Sequence, residues 1–306
     1  MIGGGQNSEH DVSLASAAAV ARALDASYDV VRLTIDRDGV WCDAGRAPIG
    51  LEGAVRVLRT CAVALPLLHG PRGEDGTVAA LCQLAGVPFV GSGVGAGALA
   101  MDKWATKQVA RALGIEVAPD VLLTRATAPA YDFTHPVVVK PVAAGSSHGV
   151  MLVNEADELA DALAAAFALD DRVLVEDVVV GREVDVAVLG RPDGRRLVPP
   201  ALEVVVDGIF DTATKYDGTA DFRIPARLTE AERKHLEDAA VTVYDALGCA
   251  GVARVDFFLT EAGPVLNEVN TMPGFTEQSQ VPKMFAAAGT SYAALLDLLV
   301  RDALAA

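Results

Sequence analysis

Apolar and polar positions alternate along the first ninety residues in the manner of a layered α/β fold. Regular spacing of alanine and other apolar residues predicts a helix at 12–24, and apolar runs predict strands at 28–35, 62–67 and 87–90. The glycine-rich stretch 91–97 is typical of a linker. Alternating helices and strands indicate a parallel sheet covered by helices. We therefore expect a first domain at residues 1–93.

The rest of the chain mixes both periodicities in two further units. The predicted elements of a central unit are a helix at 101–113, strands at 121–124, 137–140, 150–153 and 173–176, and a helix at 157–167. Those of a C-terminal unit are a strand at 183–189, a polar stretch at 207–224, a helix at 230–247 and a hairpin at 252–270. The expected fold class is mixed α/β, with domains at 94–178 and 179–306.

The start of the chain is irregular. Only Met1 and Ile2 precede a glycine turn, so the strand expected there is either very short or the sequence begins late. Ser8 and Asp11 have the spacing of a capping box for the first helix. Glu9 then favours the helix dipole, and this interpretation is preferred from the segment alone. The alternative is that Glu9 holds a substrate ammonium at the mouth of the turn.

Composition narrows the functional classes. The chain has 25 basic and 41 acidic side chains, and 25 minus 41 gives a net charge of -16, which argues against binding nucleic acid or an anionic membrane. With 52% hydrophobic and 22% charged residues it is expected to fold. Apolar stretches end well before about 18 residues, no export signal opens the chain, and the four cysteines lack paired or metal spacing. These features predict a reduced, cytoplasmic protein.

The segment 254–270 carries the most chemistry. If residues 261–263 form a three-residue hairpin loop with its glycine in the left-handed conformation, Asp256 lies opposite Glu268 and Arg254 lies opposite Asn270. All four then share one face of the hairpin, because side chains alternate with period two. The other face, which includes residue 267, is expected to be nearly all apolar.

Two opposed carboxylates about 5 Å apart at Cβ repel each other unless a cation lies between them. Oxygen ligands in this arrangement suit magnesium, which commonly takes one or two carboxylates together with substrate phosphates. The alternative is a solvated hairpin face with an ordinary arginine–carboxylate pair. We rank it second because it explains neither Asn270 nor the turn at 271–274 that follows directly.

A second candidate site is the Gly/Ser-rich turn at 141–149, between two apolar runs. Such a turn offers consecutive backbone N–H groups to a phosphate, and Lys140 ends the incoming strand as a point charge. The chain has only six lysines, and Lys103, Lys107, Lys140 and Lys215 all fall in candidate segments. The alternatives are an ordinary hairpin turn and surface lysines placed by chance, which for Lys107 stays open.

Taken together with further short segments, these motifs resemble those of the D-alanine:D-alanine ligase family of the ATP-grasp superfamily. The matching blocks cover essentially the whole chain: Gly4-Gly5 with Glu9-His10-Asp11, Leu68-His69-Gly70 with Gly73-Glu74-Asp75-Gly76, Met101-Asp102-Lys103 with Lys107, Lys140-Pro141 with Gly145-Ser146-Ser147, Lys215-Tyr216, and residues 267–276 with Ser279. Six ordered blocks are far more specific than any one of them.

The resemblance implies a three-domain ATP-grasp architecture with an N-terminal parallel α/β domain and ATP between the other two domains. ATP would contact Lys103, Lys140, Ser147 and Lys215 through its phosphates, Glu176 through its adenine and Glu183 through its ribose. Two magnesium ions, or manganese in their place, would be held by Asp256, Glu268 and Asn270. The partners implied are small molecules, D-alanine and ATP, and a second copy in a homodimer.

The same resemblance assigns the amino-acid contacts. Glu9 would bind the ammonium of the first D-alanine, with Ser146 and Tyr216 beside it and His69 near its carboxylate. The implied roles of the remaining residues are oxyanion stabilisation for Arg254 and the Gly274 N–H, and binding of the second substrate's carboxylate for Ser279. The implied reaction joins two D-alanines through a D-alanyl phosphate, with release of ADP and phosphate, for peptidoglycan synthesis.

Departures from the family pattern leave alternatives open. Thr212 and Gln280 stand where the family commonly has other residues, and the phosphate turn has Val142-Ala143-Ala144 in place of serine and charged residues. One alternative is an ATP-grasp ligase with another acceptor, such as D-lactate, D-serine or another amino acid. The other is a nucleotide-binding protein without catalysis, which is less consistent with the complete set of Asp256, Glu268, Asn270 and Arg254.

Overall fold

The N-terminal part of the chain forms a small three-stranded sheet with helices packed around it. The computed structural model describes residues 1–205 and 221–305. Strand β1 has three residues, pairs in parallel with β2, and β2 pairs antiparallel with β3. The predicted strands at 62–67 and 87–90 contribute only isolated parallel bridges. The elements are β1 (Ile2–Gly4), α1 (His10–Leu24), β2 (Leu33–Ile35), β3 (Trp41–Cys42), α2 (Gly50–Leu58) and α3 (Thr77–Ala85).

The predicted glycine linker is largely a helix. Helix α4 (Val94–Met101) begins after residue 93 and is followed by α5 (Lys103–Ala112). A Cβ on Gly97 would lie 2.6 Å from the carbonyl oxygen of Glu74, so this glycine permits close packing of the helix. The linker interpretation of 91–97 is therefore wrong beyond residue 93, because residues 94–101 form a helix and Gly97 serves its packing.

The middle of the chain forms a four-stranded antiparallel sheet in the order β4-β7-β5-β6. Helix α6 packs on it, and the core contains apolar side chains from β4, β5, β7 and the helix. The elements are β4 (Asp120–Thr124), β5 (Val137–Pro141), β6 (Met151–Val153), α6 (Leu159–Phe167) and β7 (Arg172–Asp177). The predicted strands and helix agree with these bounds to within two residues.

The C-terminal part forms a larger antiparallel sheet in the order β11-β10-β8-β12-β13, with β9 beside β8. Helices α4, α5 and α7 contribute to the core on one face, and α1, α8 and α9 to the core on the other. The apolar run of β8 is explained by burial on both faces. The elements are β8 (Arg182–Gly190), β9 (Arg196–Leu197), β10 (Leu202–Val205), β11 (Asp221–Arg223), α7 (Glu230–Ala246), β12 (Gly251–Thr260), β13 (Gly263–Asn270), α8 (Gln280–Ala287) and α9 (Tyr292–Ala305).

Each sheet uses strands from one of the three predicted segments, yet helices of the 94–178 segment also pack on the largest sheet. The domain boundaries at 93 and 178 stay predictions. Across the described ranges, 1–205 and 221–305, no single helix is both long and apolar enough to cross a membrane. The pair α8 and α9 satisfies length and composition only together, with a bend of 103° between the two helices.

A buried carboxylate joins three parts of the largest sheet. Glu203 accepts hydrogen bonds from Arg182 Nε at 2.8 Å, from Arg223 Nη1 at 2.9 Å and from the Arg227 backbone N–H at 3.4 Å. The Arg182 bond, more than any other contact, lowers the pKa of Glu203 from its ordinary 4.5 to about 2. The ionised carboxylate therefore stabilises the folded state.

We expect Glu203→Gln to lower the free energy of unfolding at pH 7 by about 1–2 kcal/mol, because its arginine partners are partly exposed. Because the pKa of Glu203 is lower in the folded state, the carboxylate stabilises the folded state at pH values above its unfolded pKa of 4.5. This stabilisation is lost as the pH falls toward about 2. Urea unfolding at pH 7 and at pH 3 should show a smaller difference between variant and parent at pH 3. Asp193→Asn, at an exposed ion pair, is the control; a difference that stays constant with pH would contradict the prediction.

Candidate active site

Two cavities meet in the cleft beside the hairpin of β12 and β13. The first, of about 570 Å³, is lined by residues of α1, the 141–149 turn, β13 and the start of α8. The second, of about 550 Å³, lies between the four-stranded sheet and the largest sheet. Both cavities have Lys103, Ala144 and Glu268 in their walls. The two cavities therefore share a wall formed by these residues.

The pairing of the hairpin strands agrees with the sequence prediction at the end that carries the polar candidate residues. Arg254 pairs with Asn270 and Asp256 pairs with Glu268. The loop is different, because Thr260 pairs directly with residue 263 and leaves a loop of two residues. The φ of that glycine is 130°, outside the left-handed helical region that we expected. A β-bulge between residues 256 and 257 supplies the missing residue and restores the register.

The bulge changes the side on which residue 267 lies. The sequence places Asn267 on the apolar face, and this is wrong. Its Oδ1 accepts a hydrogen bond from Lys140 Nζ at 3.3 Å, and the residue lines the second cavity next to Glu268. The bulge therefore brings both side chains into the cleft.

Each of the opposed carboxylates has a cation beside it. Asp256 is 3% exposed and accepts two bonds from Arg254, Nε to Oδ1 at 2.7 Å and Nη2 to Oδ2 at 2.6 Å. Glu268 Oε2 lies 3.1 Å from Lys103 Nζ. The Asn270 Oδ1 accepts from the backbone N–H of residue 272 at 2.9 Å. The arginine–carboxylate pair of the alternative interpretation is thus present, but Asp256 is buried and three oxygen donors lie on one stretch of the hairpin.

Arg254 contacts three side chains in this group, two of them acidic. Its Nε lies 3.6 Å from Asp185 Oδ2 and its Nη1 donates to Gln280 Oε1 at 2.5 Å, in addition to the two bonds to Asp256. Burial lowers the pKa of Arg254, but the charges of Asp256 and Asp185 outweigh this and raise the pKa well above its usual value. The guanidinium is therefore a permanent positive charge at the base of the first cavity.

The Gly/Ser turn lies between β5 and β6, over the meeting point of the cavities. Ser146 and Ser147 both have positive φ values, 49° and 56°, which L residues rarely adopt. The turn is held by the bonds His148 N to Gly145 O at 3.1 Å and Lys103 Nζ to Ala144 O at 2.8 Å. Backbone N–H groups in such a turn form a concave site for anions.

A buried carboxylate contacts two lysines, of which Lys140 lines the second cavity. Glu176 Oε2 lies 2.7 Å from Lys140 Nζ, and its Oε1 lies 2.5 Å from Lys107 Nζ. Lys107 is 1% exposed and also contacts Asp120 at 3.2 Å, so the interpretation as a chance surface lysine is wrong. Burial lowers the pKa of Lys140. The charge of Glu176 raises it but does not outweigh burial, so the pKa lies below its ordinary value.

The N-terminal carboxylate faces the cleft. Helix α1 begins at His10, its N-cap position is Glu9, and no side chain caps it, so the predicted capping box of Ser8 and Asp11 is wrong. Asp11 pairs with Arg37 instead, at 2.7 Å. The carboxylate of Glu9 accepts a hydrogen bond from the hydroxyl of residue 146 in the first cavity. The contacts favour a substrate-binding role over the helix-dipole interpretation.

Two further groups complete this end of the cavity. Burial raises the pKa of Glu9, and the nearby charge of Glu74 raises it further. His69 Nδ1 contacts the Met272 carbonyl at 2.8 Å and lies 3.8 Å from Glu74 Oε1. Burial lowers the pKa of His69, but Glu74, Glu9 and the Met272 carbonyl together outweigh burial, and the net direction is upward. A cationic ammonium would be favoured beside these carboxylates.

The described ranges contain most of the predicted site residues, and Lys215 and Tyr216 lie outside them. Ser279 and Gly274 line the first cavity, and Glu183 and Ser147 line the second. Sequence reasoning gave no role to Asn267 or Lys283, which also line the cavities. No periodic signal marks a bulge, so the position of Asn267 follows only from the pairing.

Comparison with known proteins gives full-length matches. A family described as D-ala D-ala ligase N-terminus matches residues 1–54 and 46–92, and one described as D-ala D-ala ligase C-terminus matches 109–301. The D-alanine--D-alanine ligase of Mycolicibacterium smegmatis is 39% identical over 354 residues, covering 100% of this chain and 95% of the relative.

Solved structures agree with these matches. The VanG D-Ala:D-Ser ligase of Enterococcus faecalis has a TM-score of 0.86 at 35% identity, covering 99% of this chain and 98% of that one. The D-alanine--D-alanine ligase of Bacillus anthracis complexed with ATP has a TM-score of 0.81 at 28% identity, covering 99% and 96%. The ATP-grasp fold class and the mixed α/β architecture expected from the sequence are confirmed.

Proposed function

Because the chain belongs to the D-alanine–D-alanine ligase family, we propose that it is an ATP-dependent carbon–nitrogen ligase that joins two D-alanines. The observation that carries this proposal is the meeting of the two cavities at Lys103 and Glu268. The second cavity has the lysines and the Gly/Ser turn that suit a triphosphate, and the first has the carboxylate that suits an ammonium. The product would be D-alanyl-D-alanine, a precursor for peptidoglycan.

ATP would occupy the second cavity. Its phosphates would lie against Lys103, Lys140 and the backbone of Ser147, with Lys215 as a further contact. Glu183 would bind the ribose and Glu176 would lie beside the adenine. The contacts of Glu176 with two lysines add a further role, since they hold Lys140 in place. The relative solved with ATP supports this use of the nucleotide.

The donors on the hairpin fit magnesium. Asp256, Glu268 and Asn270 present two carboxylates and one amide oxygen, a hard set to which substrate phosphates add further oxygens. No group of three His, Cys, Asp or Glu that could hold a metal occurs among the residues described, so the phosphates and water would have to contribute. Two magnesium ions, or manganese, would supply positive charge to the transferring phosphoryl group.

The chemistry requires an activated carboxylate. The carboxylate of the first D-alanine attacks the γ-phosphorus of ATP, and the bond to ADP breaks, which gives D-alanyl phosphate. Glu9 would hold the ammonium of this D-alanine, with Ser146 and Tyr216 beside it and His69 near its carboxylate. Glu9 must be ionised for this role, so its raised pKa predicts loss of activity on the acid side at a higher pH than for an ordinary glutamate.

The second step forms the peptide bond. The neutral amine of the second D-alanine attacks the acyl carbon, the oxyanion is met by Arg254 and the Gly274 N–H, and phosphate leaves with the bonding electrons. The amine loses its proton as the amide forms. Ser279 would bind the carboxylate of this second substrate at the start of α8.

A second candidate function is ligation to another acceptor. The VanG relative is a D-Ala:D-Ser ligase at 35% identity, and Gln280 hydrogen bonds to Arg254 at the acceptor end of the cavity. Both observations concern the acceptor. Formation of D-alanyl phosphate would be the same with either acceptor. We further propose that the protein works in the cytoplasm as a homodimer.

The test is phosphate release by purified protein with ATP, magnesium and D-alanine. We expect release that depends on D-alanine, and a product with the mass of the dipeptide. D-lactate and D-serine offered beside D-alanine would reveal an altered acceptor by product mass. ATP binding without phosphate release for any of these pairs would contradict the ligase function and favour a non-catalytic nucleotide-binding protein.

A further inference from the structure

Lys283 occupies an unusual position in the first cavity. It lies in the first turn of α8, four residues after Ser279, and residues at this spacing share one face of a helix. Its Nζ lies 5.4 Å from the centroid of the Phe222 ring, a cation–π contact, and its side chain lines the cavity. In the described ranges no carboxylate lies within 4.0 Å of this ammonium.

The other cations of the cavity are already matched by acids. Lys103 pairs with Glu268, and Arg254 pairs with Asp256 and Asp185. Lys283 is therefore the cation of the described lining that a negatively charged ligand can engage without breaking an ion pair. Exchanging an aromatic face for a carboxylate keeps the charge satisfied.

Gln280 adds a donor on the same helix. Its Oε1 is fixed by Arg254 Nη1 at 2.5 Å, so the amide nitrogen is the end directed away from the guanidinium. An N–H donor and an ammonium then stand one turn apart at the start of α8. An alanine methyl group would use neither of them, whereas a carboxylate would use both.

The negative charge of the cavity and of the chain favours such a group. The first cavity also contains Glu9, Glu74 and Glu268, and the whole chain has a net charge of -16. An incoming carboxylate is repelled by these acids unless local positive charge meets it.

We propose that Lys283, assisted by the Gln280 amide, binds a carboxylate of the acceptor substrate beside Ser279. This rests on the proposed ligase function and deepens it, because it assigns a cationic partner to a carboxylate of the acceptor. The carboxylate has two possible sources: the α-carboxylate of any amino acid, or the side chain of an acidic one. Lys283 is a specificity-determining residue in either case.

The experiment compares Lys283→Met and Lys283→Arg with the parent, with D-alanine and D-aspartate as acceptors. Lys234→Met is the matched control, since Lys234 pairs with Asp238 on the exposed face of α7. If the α-carboxylate is bound, Lys283→Met raises the KM for the acceptor D-alanine about tenfold or more, with little change in kcat or in the KM for ATP. Lys283→Arg retains most of the affinity.

If a side-chain carboxylate is bound, the parent joins D-alanine to D-aspartate, and Lys283→Met loses that product while keeping its KM for D-alanine. Acceptor kinetics unchanged for both amino acids would overturn the proposal.

Calorimetric titration of D-alanine and D-aspartate into protein saturated with a non-hydrolysable ATP analogue and magnesium separates this proposal from the ligase function. Binding that depends on Lys283, without turnover by the parent, supports the carboxylate site and contradicts the ligase function. Affinities that are equal in the parent and in Lys283→Met contradict the carboxylate site, whatever the turnover.

Discussion

Asp256→Asn is expected to reduce D-alanine-dependent phosphate release roughly a thousandfold, because metal-assisted charge stabilisation is worth several kcal/mol. The asparagine keeps the shape of the side chain and removes the negative charge that the metal would need. The fold should persist, since Arg254 still has Asp185 at 3.6 Å. Phosphate release over a range of magnesium concentrations, with a thermal melt, measures both effects.

The matched control for this variant is Glu261→Gln, in the two-residue loop of the same hairpin. The Glu261 carboxylate is exposed and lies at the other end of the hairpin from the metal donors. The activity of Glu261→Gln should therefore equal that of the parent. Partial recovery of Asp256→Asn at high magnesium would fit a weakened metal site. Turnover equal to the parent at ordinary magnesium would show that the metal assignment is wrong.

Arg254→Met is expected to lower the free energy of unfolding by about 3–5 kcal/mol, because it removes the cation that lies against two buried carboxylates. Asp185 and Asp256 are 1% and 3% exposed, and Arg254 lies against both. Methionine fills much of the space, so the loss comes mainly from electrostatics. Urea unfolding at pH 7 without magnesium measures it.

The double variant Arg254→Met/Asp256→Asn provides the control, since removing one orphaned charge should recover part of the lost stability. Magnesium should also stabilise Arg254→Met more than the parent, because a cation can replace the guanidinium beside Asp256. This readout needs no activity. A loss below about 1 kcal/mol would contradict the assigned role of Arg254.

The sequence predicted the pairing of Asp256 with Glu268 from an assumed three-residue loop at 261–263. The loop was expected to be one residue too long and the bulge was not expected, and these two errors cancel at Asp256 and Glu268. A bulge depends on how neighbouring strands twist against each other, which a local pattern does not contain. The misplacement of Asn267 follows from the same limit.

Contacts between residues distant in the sequence were the other feature that the sequence could not predict. Glu176 joins Lys107 and Lys140, which are distant from it in the sequence, so no periodicity could reveal the cluster. The capping box failed for a related reason, because Glu9 bonds across the cleft to Ser146 and Asp11 pairs with Arg37. Local propensity places a helix well, and tertiary contacts decide what its first residues do.

The wall that the two cavities share has a consequence for inhibitor design. Lys103 Nζ and Glu268 Oε2 stand 3.1 Å apart where the chambers adjoin. A bisubstrate compound that fills both chambers must separate or straddle this ion pair. A linker with a negative charge would attract Lys103 when the pair is separated, whereas a neutral linker would offer this lysine no counter-charge.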